Sequence, residues 1–211
     1  MNGNMQPEIM PESNEPSAIA KFFKELGSWV ICIVVAVAIA LVLRNYVFTV
    51  VRVDGRSMMP TLEHNQRLFT RIIGYEPERG DVIIFHPQGD PEIAYVKRII
   101  ATEGDRIWID DATGDVHLKK SGSDEWVILE EDYIANETYN PNMPNIAQRI
   151  TDDSGEKGLL IEKDHIFVMG DNRNHSKDSR NGSEVGQVHV DSIIGKAVFR
   201  WWPLSDFGGI Y

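Results

Sequence analysis

The chain has 211 residues, a formal net charge of −11 and one cysteine. That length holds one ordinary domain, or one domain with a sizeable insertion, and excludes a large multidomain machine. The acidic balance and the lack of any Lys/Arg cluster exclude a nucleic-acid partner, and Cys32 alone permits neither an intramolecular disulfide nor a cysteine-based metal site.

Residues 1–20, with Pro7, Pro11, Pro16 and three glutamates among them, show no apolar period and read as a disordered tail. From Leu26 to Leu43 the sequence is apolar on every side of a helical wheel and free of charge, long enough to cross a hydrocarbon core of about 30 Å. The small-x-small triplets Ala36-Val-Ala38 and Ala38-Ile-Ala40 lie inside this run rather than after it, which argues for an anchor and against a cleaved signal peptide. Lys21 and Lys24 precede the span while Arg44, Arg52 and Arg56 follow it, so charge counting leaves its orientation open.

Beyond the span, short β-rich runs recur every ten or so residues: 47–53, 67–73, 81–85, 93–101, 106–109, 116–118, 127–129, 166–169 and 193–201. Turn signals separate them at Gly74, Gly80-Asp81, Gly89-Asp90-Pro91, Gly104-Asp105, Gly114-Asp115 and Gly122. The pattern predicts a mostly β, antiparallel sandwich or barrel rather than βαβ units. Residues 108–161 differ in character, being acidic (Asp110, Asp111, Asp115, Asp124, Glu125, Glu130, Glu131, Asp132) and then turn-rich through Asn140-Pro-Asn-Met-Pro-Asn145. They read as an insertion with its own hairpins and a solvated acidic surface; no D-x-D-x-D-G spacing marks a calcium loop.

Two residues stand out chemically. Ser57, on the Gly/Met/Pro-rich turn Gly55-Arg-Ser-Met-Met-Pro60, is a candidate nucleophile, and Lys97, set among Tyr95, Val96, Ile99 and Ile100, is a candidate base. The six histidines, at 64, 86, 117, 165, 175 and 189, sit in no recognisable triad context, and G-x-S-x-G is absent. A free lysine is protonated at pH 7, so a base at Lys97 needs its pKa lowered by about 2 to 3 units, costing about 3 to 4 kcal/mol that burial must impose. On local sequence alone such a lysine is more commonly a strand residue reaching for water. A third segment, Met169-Gly-Asp-Asn-Arg-Asn-His-Ser-Lys-Asp-Ser-Arg180, crowds small polar and charged residues after an apolar run and reads equally as a hydrogen-bonded loop or as a site wall.

Taken together these segments resemble the bacterial type I signal peptidases, membrane-anchored Ser-Lys endopeptidases that remove signal peptides from exported proteins. The motifs are Gly55-x-Ser57-Met58-x-Pro60-Thr61-Leu62, Arg79-Gly-Asp-Val-Ile-Ile-Phe85, Tyr95-Val-Lys-Arg98 and Gly170-Asp-Asn-Arg-x-x-Ser176-x-Asp178-Ser-Arg180, in that order behind an N-terminal span. The resemblance implies an antiparallel β catalytic core of the kind shared with the self-cleaving repressors of the SOS response, carrying a β-rich insertion and preceded by one transmembrane helix. It sorts the chain into a cytoplasmic tail (1–25), the transmembrane helix (26–46), the catalytic core (47–107 and 162–211) and the acidic insertion (108–161).

By that resemblance Ser57 is the nucleophile, Lys97 the general base and Ser176 the hydroxyl that orients the lysine. Asp171 with Arg98 and Asp178 with Arg180 are expected as supporting ion pairs, and Met58 and Pro60 as residues that shape the turn. Where one branch of the family has a serine that helps stabilise the oxyanion, this chain has Gly55, which shifts that role onto backbone N–H groups, including that of Ser57. Ala101-Thr-Glu-Gly-Asp105 replaces the more usual Gly-x-Pro-Gly-Asp.

The expected reaction is cleavage after Ala-x-Ala through an acyl-enzyme, with no metal or other cofactor. Its substrates are the signal peptides of preproteins, its setting the plasma membrane with the catalytic domain outside, and its further contacts membrane lipid and, transiently, the export translocon. The aromatic C-terminal run Phe199-Arg-Trp-Trp-Pro203 with Phe207 reads either as buried strand ends or as a patch dipping into the bilayer. Soluble self-cleaving repressors share the dyad chemistry, but the span and the missing basic head argue against them. A non-enzymatic, membrane-anchored peptide-binding β-domain is the other reading, with Ser57 in a mere turn.

Overall fold

The structure, a computed structural model, describes residues 18–42, 48–110, 112–134 and 157–210. The expectations for residues 1–17 and for the turn-rich segment 140–145 therefore lie outside the described residues. The chain divides into two compact units, residues 1–43 and 44–211.

Among the described residues the first unit has one helix, α1 (Ala18–Val42). It starts earlier than the expected tail boundary at residue 25, because Ile19, Phe22 and Phe23 continue the apolar surface toward the N-terminus. From Phe22 to Val42 every side chain is exposed, and these 21 residues form a stretch long and apolar enough to span a membrane. At 1.5 Å per residue they cover about 31 Å, close to the hydrocarbon thickness. A helix that is apolar all round is stable in lipid and not in water.

Among the described residues the second unit has twelve strands: β1 (Phe48–Arg52), β2 (Arg67–Arg71), β3 (Val82–Phe85), β4 (Tyr95–Thr102), β5 (Arg106–Ile109), β6 (Val116–Lys119), β7 (Trp126–Ile128), β8 (Leu159–Leu160), β9 (His165–Met169), β10 (Val188–His189), β11 (Ile193–Trp202) and β12 (Gly208–Gly209). Eight of them form an antiparallel sheet in the order β1-β2-β11-β3-β4-β9-β10, with β12 on β11; the other four form a small sheet in the order β7-β6-β5-β8. The fold is mostly β and antiparallel. The short strands β8, β10 and β12 carry too few residues for a period to show in the sequence.

Burial follows pattern. In β5 and β6 alternate residues, Ile107, Ile109, Val116 and Leu118, point inward and pack on Ile100, Ala101, Phe167 and Met169 of the large sheet. In β3 all four residues are buried, because both faces are covered: Ile83 and Phe85 join Ile99, Ile166 and Val168, whereas Val82 and Ile84 join Val53, Met58, Leu62 and Leu68. That last cluster lies under the turn after β1 and fixes its position. β5 belongs to the small sheet, so the change of sheet comes at Arg106 rather than at residue 108.

Candidate active site

The turn between β1 and β2 carries Ser57. It is closed by hydrogen bonds from Met59 N to Arg56 O (3.2 Å) and from Leu62 N to Met58 O (2.8 Å), with Met58 and Leu62 buried as anchors beneath it. Pro60 follows Met59 through a cis peptide. Gly55 has φ +98°, a left-handed conformation that costs glycine nothing and a side-chain-bearing residue a good deal. Its N–H donates to His64 Nδ1 at 3.2 Å, while among the described residues the Ser57 N–H donates to no backbone carbonyl.

β4 brings Lys97 to this turn. Its Nζ lies 2.8 Å from Ser57 Oγ and 2.7 Å from Val96 O, and 5.2 Å from the centre of the Tyr95 ring. Lys97 is buried, and burial pushes its pKa down from 10.5 to about 8, against the opposing pull of Asp178 and Asp171 and with a smaller push from Arg180. Near neutral pH an appreciable fraction of such an amine is unprotonated. In that form the hydrogen bond reverses: the Ser57 hydroxyl donates and Nζ accepts, which is the arrangement a general base requires. A cleft of about 310 Å³ opens over the pair, lined among others by Val51, Val53, Ala94, Tyr95 and Val96. His175 and His64 are both exposed; neither is hydrogen-bonded to Ser57, whose hydroxyl is partnered by Lys97.

The segment after β9 forms the wall behind the dyad. Asn172 N donates to Ser57 O at 3.0 Å, which ties the turn to it. Gly170 makes this approach possible, for a Cβ there would collide with the Ser57 carbonyl oxygen and with Ser176 Oγ. Arg98 grips Asp171 with two bonds (Nε to Oδ1 2.9 Å, Nη2 to Oδ2 2.7 Å) and donates to Gly80 O at 2.7 Å, coupling the Arg79–Phe85 segment to the wall. Thr61 Oγ1 adds a bond to Asp171 Oδ2 at 2.5 Å. Arg180 grips Asp178 in the same two-bonded way, at 2.8 and 2.9 Å, and Gly170 N donates to Asp178 at 3.0 Å. Burial alone would raise the Asp178 pKa; Arg180, the Gly170 N–H and the Ser176 hydroxyl outweigh it and hold the carboxyl below its usual range.

Ser176 is placed differently from the role expected of it. Lys97 Nζ is hydrogen-bonded to Val96 O and Ser57, not to Ser176, whose hydroxyl is buried beside Gly170 without a hydrogen bond of normal geometry. It is close enough to the Asp178 carboxylate to help keep it ionised.

Sequence reasoning missed two groups, Glu131 and Tyr133, the latter with its ring on Arg98 and its hydroxyl on Glu131. Glu131, read as part of a solvated acidic surface, has a side chain only 6% exposed and is doubly bonded to Arg173. Nothing in the local sequence distinguishes it from Glu130 or Asp132. Among the described residues no group of three or more His, Cys, Asp or Glu is arranged to hold a metal.

Comparison with known proteins agrees with the motifs. Residues 26–202 match the family described as signal peptidase, peptidase S26. The chain is 35% identical over 193 residues to signal peptidase IB of Staphylococcus aureus, covering 87% of this chain and 93% of that protein. It is 34% identical over 187 residues to signal peptidase I S of Bacillus subtilis, covering 87% and 92%. A crystal structure of a signal peptidase I from Enterococcus faecalis is 27% identical, covering 59% of this chain and 98% of that one, with a TM-score of 0.42. The chain belongs to the signal peptidase family, peptidase S26.

Proposed function

We propose that the chain removes signal peptides from exported preproteins by a Ser57–Lys97 dyad, working as a serine endopeptidase held at the membrane by α1. The observation that carries the dyad is Lys97 Nζ at 2.8 Å from Ser57 Oγ, with its ammonium form destabilised by burial. Neutral Lys97 takes the Ser57 proton as Oγ attacks the carbonyl carbon before the scissile bond. The tetrahedral intermediate then expels the amine, which takes the proton from Lys97, and leaves an acyl-enzyme. Lys97 next takes a proton from water, whose oxygen attacks the ester carbonyl. The second tetrahedral intermediate expels Ser57 Oγ, which receives that proton from Lys97, so that the acid leaves and both Ser57 and neutral Lys97 are restored. The Ser57 N–H is the oxyanion donor and Gly55 keeps the approach open for the substrate backbone. Ser176 acts behind the lysine through Asp178. Met58 and Pro60 hold the turn, and Arg98–Asp171 and Arg180–Asp178 hold the wall. No metal or other cofactor enters these steps.

The substrate binds extended in the cleft, pairing its backbone with strand edges and placing small side chains, as in Ala-x-Ala, against Val51, Val53 and Val96. Residues 47–107 and 162–211 make up this catalytic core, with 108–161 as its insertion. The N-terminus is cytoplasmic and the catalytic unit lies outside, where preproteins emerge from the translocon. Lipid contact falls to an exposed apolar face: Val50, Phe69 and Phe199 lie in register across three strands, Phe207 packs on Phe199, and Leu204 and Phe207 are 71% and 63% exposed.

The test is cleavage of a preprotein by the purified full chain, wild type and Ser57→Ala. Release of the mature protein by the wild type alone supports the reading; equal cleavage by Ser57→Ala overturns it.

A further inference from the structure

We propose that Glu131 and Tyr133, on the segment following β7, are positioning residues for the Ser57–Lys97 dyad, clamping the arginines that hold the wall behind it. The proposal rests on the function read above and gives the acidic insertion a part in it. The contacts run in an unbroken series. Glu131 Oε2 accepts from Arg173 Nη1 at 2.7 Å and Oε1 from Arg173 Nη2 at 2.5 Å, with both side chains under 10% exposed. Tyr133 OH donates to Glu131 Oε1 at 2.7 Å, fixing the carboxylate. The Tyr133 ring lies against the Arg98 guanidinium, 4.0 Å from it. Arg173 Nε donates to Gly170 O at 3.2 Å, and its own carbonyl accepts from Arg180 Nη2 at 2.8 Å. Arg98 and Arg180 are the partners of Asp171 and Asp178, and the same loop binds the carbonyl of the nucleophile through Asn172 N.

Two functions follow from this geometry. The first is steric. Gly170 to Arg180 has little apolar anchorage, so its placement depends on the carbonyls that Arg173 and Arg180 bind, and a shift of the loop is passed to Ser57 O directly. The second is electrostatic. Arg173 is a buried cation whose charge Glu131 neutralises; left alone, it would draw on Asp178 and add a positive field to the site. Lys97 is faced by Ser57 on the turn, Tyr95 on its own strand, and Asp171, Asp178 and Arg180 on the wall, with Arg52, Asp54, Arg56, His175 and Lys177 along the cleft. Loss of the Glu131 charge makes that surrounding more positive and favours neutral Lys97. The acid limb of the activity profile then moves to lower pH while the distorted dyad turns over more slowly.

The experiment uses the full chain in detergent and an internally quenched peptide spanning an Ala-x-Ala cleavage site. Wild type and Ser57→Ala are the controls, and Glu131→Gln, Tyr133→Phe and Tyr133→Leu the variants, each with its folded fraction measured. Absence of Ser57-dependent cleavage in the wild type overturns the functional reading and this proposal with it. With the wild type active, Glu131→Gln should lose about 10- to 100-fold in kcat with KM changed less than about twofold, and its acid limb should fall to lower pH. Tyr133→Phe, which keeps the ring on Arg98, should retain most activity where Tyr133→Leu does not. Should Glu131→Gln fail to fold, the two Tyr133 variants decide. Wild-type kcat in folded Tyr133→Leu, or losses in any variant that merely track the unfolded fraction with an unmoved acid limb, overturn the proposal.

Discussion

The dyad and the wall behind it treat buried positive charge in opposite ways. Arg98, Arg173 and Arg180 each receive a carboxylate through two hydrogen bonds, from Asp171, Glu131 and Asp178. Lys97, next in sequence to Arg98 and also buried, has among the described residues only a backbone carbonyl and a serine hydroxyl as hydrogen-bond partners. The difference teaches how a protein chooses which proton to make removable. A guanidinium cannot give up its proton and is neutralised by pairing, whereas an ammonium left unpaired in the same environment responds by lowering its pKa. The wall is charge-balanced, and the dyad beside it is not.

The sharpest way to break the comparison is to put an arginine where the lysine stands. Lys97→Arg and Lys97→Ala should each lose at least about 10³-fold in the rate of preprotein cleavage, since neither can accept the Ser57 proton. Activity within tenfold of wild type in either variant would remove Lys97 from the chemistry.

Next comes the opposite operation, stripping one member from a paired site. Asp171→Ala leaves Arg98 buried and uncompensated and should cost about 3 to 5 kcal/mol in denaturant unfolding. A loss under 1 kcal/mol would mean that Arg98 finds another partner or water.

At Lys97 itself, burial of the charge is a cost to the fold. Its folded pKa of about 8 lies below the unfolded 10.5, so the penalty is fully present below pH 8. Between pH 8 and 10.5 the unfolded chain holds the extra proton, and this group makes stability rise with pH. Lys97→Met should therefore stabilise the fold near pH 7 by up to about 3 kcal/mol, the gain shrinking as pH rises toward 10.5. A pH-independent difference between the two proteins would contradict the buried, unpaired state. The wild-type kcat/KM should rise toward a plateau with a midpoint near pH 8.

Gly170→Ala probes the seam between the two regions. The added methyl collides with Ser57 O and Ser176 Oγ, so about 1 to 3 kcal/mol of stability should be lost, and activity should fall further than stability alone explains. The smallest effect is expected far from both. In a variant lacking α1, Trp202→Ser with Phe207→Ser should reduce sedimentation with liposomes while changing unfolding free energy by less than about 0.5 kcal/mol. Unchanged liposome binding would remove this face from the membrane.

Much of this was legible in the chain. The span follows from a run of apolar residues without polar relief, and nine β-rich runs follow from period and turn residues, because both signals are local. The ends drift where local preference continues past the expected limit, as at Ala18, and where sheet membership depends on distant partners, as at Arg106. Ser57 and Lys97 could be singled out as residue types, and the four motifs name the residues around them. Glu131 and Tyr133 could not be found that way. Their partners are about forty residues distant for Glu131 with Arg173 and thirty-five for Tyr133 with Arg98, and an acidic stretch looks the same whether water or arginine receives it.

The sequence by itself determined an anchor, an antiparallel β architecture and a short set of polar residues able to do acyl transfer, since hydrophobic period and residue chemistry are properties of neighbours along the chain. Only the tertiary structure decided that Lys97 is buried without a carboxylate partner among the described residues while Arg98 beside it has one. Desolvation and pairing are set by what packs around a group in space, and for Lys97 those neighbours come from the turn after β1 and from the Gly170–Arg180 segment, whose Arg173 is in turn bonded to Glu131.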